Sequence, residues 1–193
     1  KYPKEIFPFD FDTYFASEME CEIVTTNCVT GKAEYMTERS DRDRLMKLCR
    51  ASSSMPLVSP IVNVDGVPYL DGGLADSIPV KRAQALGNEK IIVILTRNPG
   101  YRKKPTSRGV KSLYKRAYKK YPNLVRTAIK RSMIYNQQME LVEKLEDEGK
   151  IFVIRPLIPT VSRLEKNYDA LMHFYEHGYR LMKRLYQALQ EYM

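Results

Sequence analysis

Asp71 closes the apolar run Val67-Pro68-Tyr69-Leu70 and is followed at once by Gly72 and Gly73. This leaves a carboxylate exposed where a strand gives way to a glycine pair. Open α/β sheets carry their chemistry at such strand ends, outside the carboxyl edge of the sheet. Gly72 and Gly73 allow backbone angles closed to other residues. Taken alone, the same aspartate is also a plain turn residue that binds its own backbone.

The other chemistry-bearing residues carry weaker patterns. Ser52, Ser53 and Ser54 lack the glycine elbow that exposes a catalytic serine. They read as a helix end, with Ser54 and Pro56 as candidates to line a substrate. His173 and His177 are four apart and share a helical face, but Phe174 stands where the zinc-protease motif needs Glu, and no third ligand follows. Cys21, Cys28 and Cys49 fit neither a zinc site nor a disulfide framework and read as reduced, buried thiols. Cys49 has no histidine at a recognisable spacing. No metal and no cofactor is expected.

The elements that position Asp71 follow from local signals. Asp65-Gly66 between Ile61-Val62-Asn63-Val64 and Val67-Pro68-Tyr69-Leu70 is a hairpin signal. Pro79 opens a short helix through Val80, Ala83, Ala85 and Leu86 that stops at Gly87. Ile91-Ile92-Val93-Ile94-Leu95 is continuously apolar, as in a strand covered on both faces. The sequence 61–95 is therefore expected to form a βαβ-like unit within a parallel sheet. Upstream, residues 1–17 read as a loop entering a short helix. Cys21–Val29 reads as a strand turning at Thr30-Gly31 into Ala33–Met36, and Asp41 caps a helix through Leu45, Leu48 and Ala51. Downstream, 107–121 and 123–148 are helical with a break at Pro122, and Ile151–Ile154 is a short strand. Ser162-x-x-Glu165 has capping-box spacing and opens a long helix containing Leu171, Phe174, Leu181, Leu185 and Leu189. The class is α/β.

In order and at compact spacing, Arg50-Ala51-Ser52-Ser53-Ser54-Met55-Pro56, the hairpin, and Leu70-Asp71-Gly72-Gly73-Leu74-Ala75-Asp76-Ser77-Ile78-Pro79-Val80 resemble the aspartate motif of patatin-like phospholipases, bacterial members above all. The resemblance is good over 15–100 and weaker to 193, where Tyr175-x-x-Gly178 is a minor echo. It implies a three-layer fold with a mostly parallel central sheet and flanking helices. It also implies a lipid acyl hydrolase acting on carboxylic esters, with Asp71 as general base of a Ser-Asp dyad and Gly72 and Gly73 as active-site backbone. Family members supply the serine from a Gly-x-Ser-x-Gly elbow, and an oxyanion loop rich in glycine, both ahead of the aspartate. Neither stands in these 193 residues. Family patterns also often carry Asn where this chain has Ser77. The resemblance thus implies that 1–193 is the C-terminal portion of a patatin-like domain, inactive by itself and completed by an N-terminal part of the same polypeptide. Within it, 1–97 would be the motif-bearing sheet region. The remainder, 98–193, would be a basic helical region, a short strand and a long C-terminal helix.

Composition bounds the partners. A chain of 193 residues with 44% hydrophobic and 28% charged side chains buries a full core. No run of eighteen apolar residues spans a membrane, and Lys1 opens no signal-peptide pattern. A cytoplasmic protein, with peripheral membrane contact as a further possibility, is expected. From Arg97 to Arg131 the chain holds 13 of its 32 cations and none of its 23 acids, enough to account for the whole net charge of +9. Such a block is a solvated helix face or, through 102–120, a contact with anionic lipid. Its interleaved tyrosines also suit single-stranded nucleic acid, the weakest of the three readings. The rival to the hydrolase is a non-catalytic α/β module that binds anionic lipid or another polyanion, its Asp-Gly-Gly only a turn. What precedes Lys1 in the gene distinguishes the two.

Overall fold

The structure is a computed structural model that describes residues 8–162 and 164–193. Residues 1–7 of the proline-rich N-terminal loop lie outside the described part. The described chain divides into two compact units. One comprises the residues up to Ser77 with Pro105–Ile134, the other Ile78–Lys104 with Tyr135–Met193.

The first unit is built on a four-stranded sheet. Strands β1 (Ile23–Asn27), β2 (Ala33–Met36), β3 (Val62–Val64) and β4 (Val67–Asp71) lie in the order β2-β1-β4-β3. Both hairpins close as their turn residues dictate. Asp65 and Gly66 have φ of 53° and 82°, the left-handed pair that a two-residue turn between twisted strands requires. β4 then pairs with β1 in the register Thr25↔Asp71, Thr26↔Leu70 and Asn27↔Tyr69.

All three pairings are antiparallel. This corrects the expectation of a mostly parallel central sheet. The reason is connectivity: two hairpins docked through β1 and β4 leave no crossover that could bring in a parallel neighbour. The βαβ reading of 61–95 fails with it, because the strand after the Pro79 helix does not join β4. The mixed α/β class stands.

Helices cover both faces of this sheet. α1 (Phe11–Ala16) is short, and α2 (Arg42–Ser52) is capped by Asp41, whose carboxylate accepts the N–H groups of Asp43 and Arg44. α2 buries Leu48 and Ala51 against Val62, Val64 and Tyr69. On the opposite face α4 (Arg108–Ala117) and the first half of α5 (Pro122–Asp147) bring Tyr114, Tyr118, Leu124, Val125 and Ala128 onto Cys28, Leu70 and Leu74. Tyr69 and Leu70 thus serve opposite cores, as adjacent strand residues must. Pro122 is the first residue of α5, where its missing N–H costs nothing. Of the three cysteines only Cys28 is buried, its thiol pushed up to about 12 by burial. Cys21 and Cys49 are exposed, contrary to the expectation of buried thiols: Cys49 lies on the outer side of α2, whose inner positions belong to Leu45, Leu48 and Ala51.

The second unit holds the parallel pair that the sequence led one to seek elsewhere. β5 (Ile92–Ile94) aligns with β6 (Phe152–Ile154), and Ile91, Val93, Leu95 and Ile151 pack with Ile78, Val80, Tyr135, Met139 and Val142. α3 (Val80–Ala85) and α6 (Tyr168–Tyr192) complete it. α6 starts at Asn167, whose side chain accepts the Ala170 N–H, rather than at the Ser162-x-x-Glu165 box. Glu165 turns instead to the N–H groups of Lys166 and Asn167, and so shapes the approach to the helix.

Candidate active site

Asp71 is the last residue of β4, and its backbone is fixed from both sides. Its N–H donates to the Ser54 carbonyl at 2.9 Å, and its own carbonyl accepts from the Thr26 hydroxyl at 2.8 Å. Thr26 is fully buried on β1. The chain then leaves the sheet in a tight 3-10 turn, Gly72–Leu74, capped by the Asp71 carboxylate, whose Oδ1 accepts the Gly73 N–H at 2.7 Å. The half-buried side chain is thereby oriented by one of its oxygens. Oδ2 takes no hydrogen bond from the described residues, and so keeps an acceptor free at the end of the strand.

The two glycines are needed for different reasons. A Cβ on Gly72 would come within 2.3 Å of the Val24 carbonyl oxygen, so the turn can pass β1 only with no side chain there. A Cβ on Gly73 would stand 3.1 Å from Asp71 Oδ1 and 3.7 Å from both an Arg131 guanidinium nitrogen and the Ser77 hydroxyl. Gly73 is thus the point at which carboxylate, guanidinium and hydroxyl converge. Its carbonyl accepts from Arg131 Nε at 2.8 Å and from Ser77 Oγ at 2.7 Å. Ser77, where the family often has Asn, therefore still provides a donor that closes the turn. Tyr35 donates to Asp76 at 2.5 Å and ties the far side of the same loop to β2.

The other candidates are placed as follows. Ser54 is 3% exposed, its hydroxyl donating to the Arg50 carbonyl at 2.7 Å, and it reaches Asp71 through its backbone carbonyl. Pro56 lies in the adjoining turn, half-buried. The Ser53 hydroxyl is bonded to the Cys49 carbonyl at the end of α2. His173 and His177 lie on α6 in the second unit, and no group of three metal-ligating side chains exists among the described residues. Two supporting residues, Thr26 and Arg131, were not singled out by the sequence reading, whereas Ser77 was noted only as a departure from the family pattern. Thr26 and Arg131 are 45 and 58 positions from the groups they bond, and nothing local marks them.

The patatin-like phospholipase family model matches residues 16–83. Over these residues the chain is similar to the patatin-like phospholipase family. The match includes β1, the hairpin, Asp71 and the Gly72-Gly73 turn, and it lies in the N-terminal part of this chain. Residues 121–193 match a different family, the domain of unknown function DUF6363. A curated relative, the uncharacterized protein YjjU of Escherichia coli (strain K12), is 34% identical over 95 residues. The aligned part is 42% of this chain and 27% of that protein, so the chain spans well under half of the relative it matches. No helix among the described residues is long and apolar enough to cross a membrane.

Proposed function

We propose that this chain supplies the general base of a serine acyl hydrolase that cleaves carboxylic esters of lipids. The observation that carries the reading is the held carboxylate of Asp71: one oxygen is spent on Gly73, the other takes no hydrogen bond from the described residues, and both lie in the segment that matches patatin-like phospholipases. The nucleophile would be a serine in a Gly-x-Ser-x-Gly elbow elsewhere in the same polypeptide, outside these 193 residues. Its oxygen would attack the acyl carbonyl while its proton passes to Asp71 Oδ2. The collapsing tetrahedral intermediate would release the alcohol, which takes that proton, and water would then hydrolyse the acyl-enzyme with Asp71 again as base. Donors for the oxyanion would come from the same missing part, and without them little acyl-transfer power is expected of the 193 residues alone.

The test is Asp71→Asn in the full-length protein, assayed on short-chain p-nitrophenyl esters and on phospholipid. Asparagine keeps an oxygen to accept the Gly73 N–H and loses only the base. The expected result is a loss of activity of about a hundredfold or more with an unchanged melting temperature. Full activity in this variant would eliminate the dyad.

A second reading rests on α4. Val110 and Leu113 are exposed on this helix beside Lys115 and Arg116, with Lys119 and Lys120 just beyond its end, and Tyr114 and Tyr118 hold its other side in the core. An amphipathic helix anchored by buried tyrosines and edged with cations suits an anionic lipid surface. In the hydrolase reading this helix holds the enzyme at its substrate. In the rival reading, lipid binding is the whole function.

A further inference from the structure

The second unit contains a concavity unrelated to Asp71. β5 and β6 put Val93 on the buried side of their two-stranded sheet, so Ile92 and Ile94 face the other way and are 40% and 73% exposed. α6 runs along these strands, with Phe174 and Leu181 near Ile94 and Ile154 and Tyr192 bonded to Ile91 and Lys150 at their amino ends, and Leu181 is its one buried residue. Between them lies a cavity of about 290 Å³ lined chiefly by Ile94, Leu95, Ile154, Phe174, Leu181 and Met182. His177 sits at its mouth and belongs equally to a shallower basin of about 470 Å³. There Arg180, Lys183 and Arg184 face a single acid, Glu176, and Arg184 has no acidic partner among the described residues. His177 Nε2 accepts the Leu157 N–H at 3.1 Å, so the neutral ring carries its proton on Nδ1 as a donor.

Gly178 adds an independent observation. It stands inside a 25-residue helix, where glycine is a poor choice relative to alanine. A Cβ there would meet nothing within 4 Å, so no neighbouring atom demands its absence. Yet Gly178 lines the apolar cavity, beside the residue that joins it to the cationic basin. The missing side chain keeps that passage open.

We propose that the second unit binds a single-chain anionic amphiphile, its hydrocarbon tail in the apolar cavity and its head group in the basin of Arg180, Lys183 and Arg184. The size and lining are those of a small-ligand site with a few placed polar groups. Charge complementarity selects an anion, and the shared chemistry is a carboxylate or a phosphate monoester on one acyl or alkyl chain. The inference stands apart from the role of Asp71, because the two sites share no residue.

The test is calorimetric titration of the 193-residue chain with octanoate, decanoate, decyl phosphate and 1-decanol, each below its aggregation limit. Each methylene buried is worth about fourfold in affinity, so decanoate should bind roughly tenfold or more above octanoate. The two decyl anions should exceed 1-decanol by at least fivefold, and the tighter of them identifies the head group. Gly178→Leu should weaken all decyl ligands at least tenfold while the melting temperature holds or rises, since it fills the passage and improves the helix. Arg184→Gln should weaken the anions severalfold and leave 1-decanol unchanged. Equal binding of 1-decanol and decanoate, or undiminished binding by Gly178→Leu, would overturn the proposal. So would an absence of binding, including one accompanied by self-association of the chain through this face in sedimentation.

Discussion

Around Asp71, backbone groups do most of the positioning. The Ser54 carbonyl, the Thr26 hydroxyl and the Gly73 N–H each make one bond to the aspartate, and none competes for Oδ2. Thr26 is fully buried, so Thr26→Val should keep the shape but leave the Asp71 carbonyl short of a donor. A loss of about 1–3 kcal/mol in denaturant unfolding is expected. Gly72→Ala should cost more than the 1–3 kcal/mol typical of a side chain forced into a packed core, since the obstacle is the β1 backbone at 2.3 Å rather than a movable side chain. Gly73→Ala meets only side-chain atoms and should leave stability nearer the parent while crowding the carboxylate. If Gly72→Ala unfolds at the same denaturant concentration as Gly73→Ala, this division of labour is wrong.

At the scale of elements, the start of α2 is organised by one buried acid. Glu38 Oε1 accepts the N–H groups of Arg39, Ser40 and Asp41, and Oε2 accepts from Arg44 at 2.8 Å. These donors, the Asp41 N–H first and the Arg44 guanidinium next, hold its carboxyl down to about 2 from an ordinary 4.5. A folded-state value below the unfolded one means that the charged form contributes stability in full above about pH 4.5. That contribution is lost as pH falls toward 2. Acid titration of thermal stability should therefore show a step in that window that Glu38→Gln removes, with the variant less stable at pH 7 by about 1–3 kcal/mol. A parent curve that matches the variant's between pH 2 and 5 would contradict this. Glu38 escaped the sequence reading because three of its partners are its immediate neighbours' N–H groups, which any loop offers. The hairpin at Asp65-Gly66, the strand at 91–95 and the break at Pro122 were legible because local chemistry decides them. Strand partners were not: alternation and β-branching mark Ile91–Leu95 as a buried strand without saying that it pairs with Phe152–Ile154 across more than fifty residues. The Asp-Gly-Gly turn was legible for the same local reason, and its long-range supports, Thr26 and Arg131, were not.

At the scale of the whole molecule, the uneven charge has to be weighed in space rather than along the chain. Arg102 lies in the acid-free segment in sequence, but it pairs with Glu143 of α5 at 2.5 Å, and the Lys103 ammonium stands 3.8 Å from the centre of the Tyr135 ring. Lys104, Arg126 and Lys130 are exposed elsewhere in the segment, but the cations that stand beside exposed apolar side chains are those of α4 and the turn after it, where Lys115, Arg116, Lys119 and Lys120 accompany Val110 and Leu113. Each such cation near an anionic bilayer contributes about 1 kcal/mol. Four of them, with two apolar side chains to enter the interface, should hold the 193-residue chain on phosphatidylserine vesicles at low ionic strength. Screening shortens their reach to about 8 Å at physiological salt and about 3 Å at 1 M, so cosedimentation should fall steeply as salt rises. Replacing Lys115, Arg116, Lys119 and Lys120 with Gln should abolish it, whereas Arg102→Gln, already neutralised by Glu143, should change it little. Leu113→Asp should weaken binding at every salt concentration, because it removes the apolar part of the contact that salt does not screen. Equal binding to neutral phosphatidylcholine vesicles would show that apolar surface alone carries the contact, and a quadruple variant that binds like the parent would exclude α4 as the membrane-facing element.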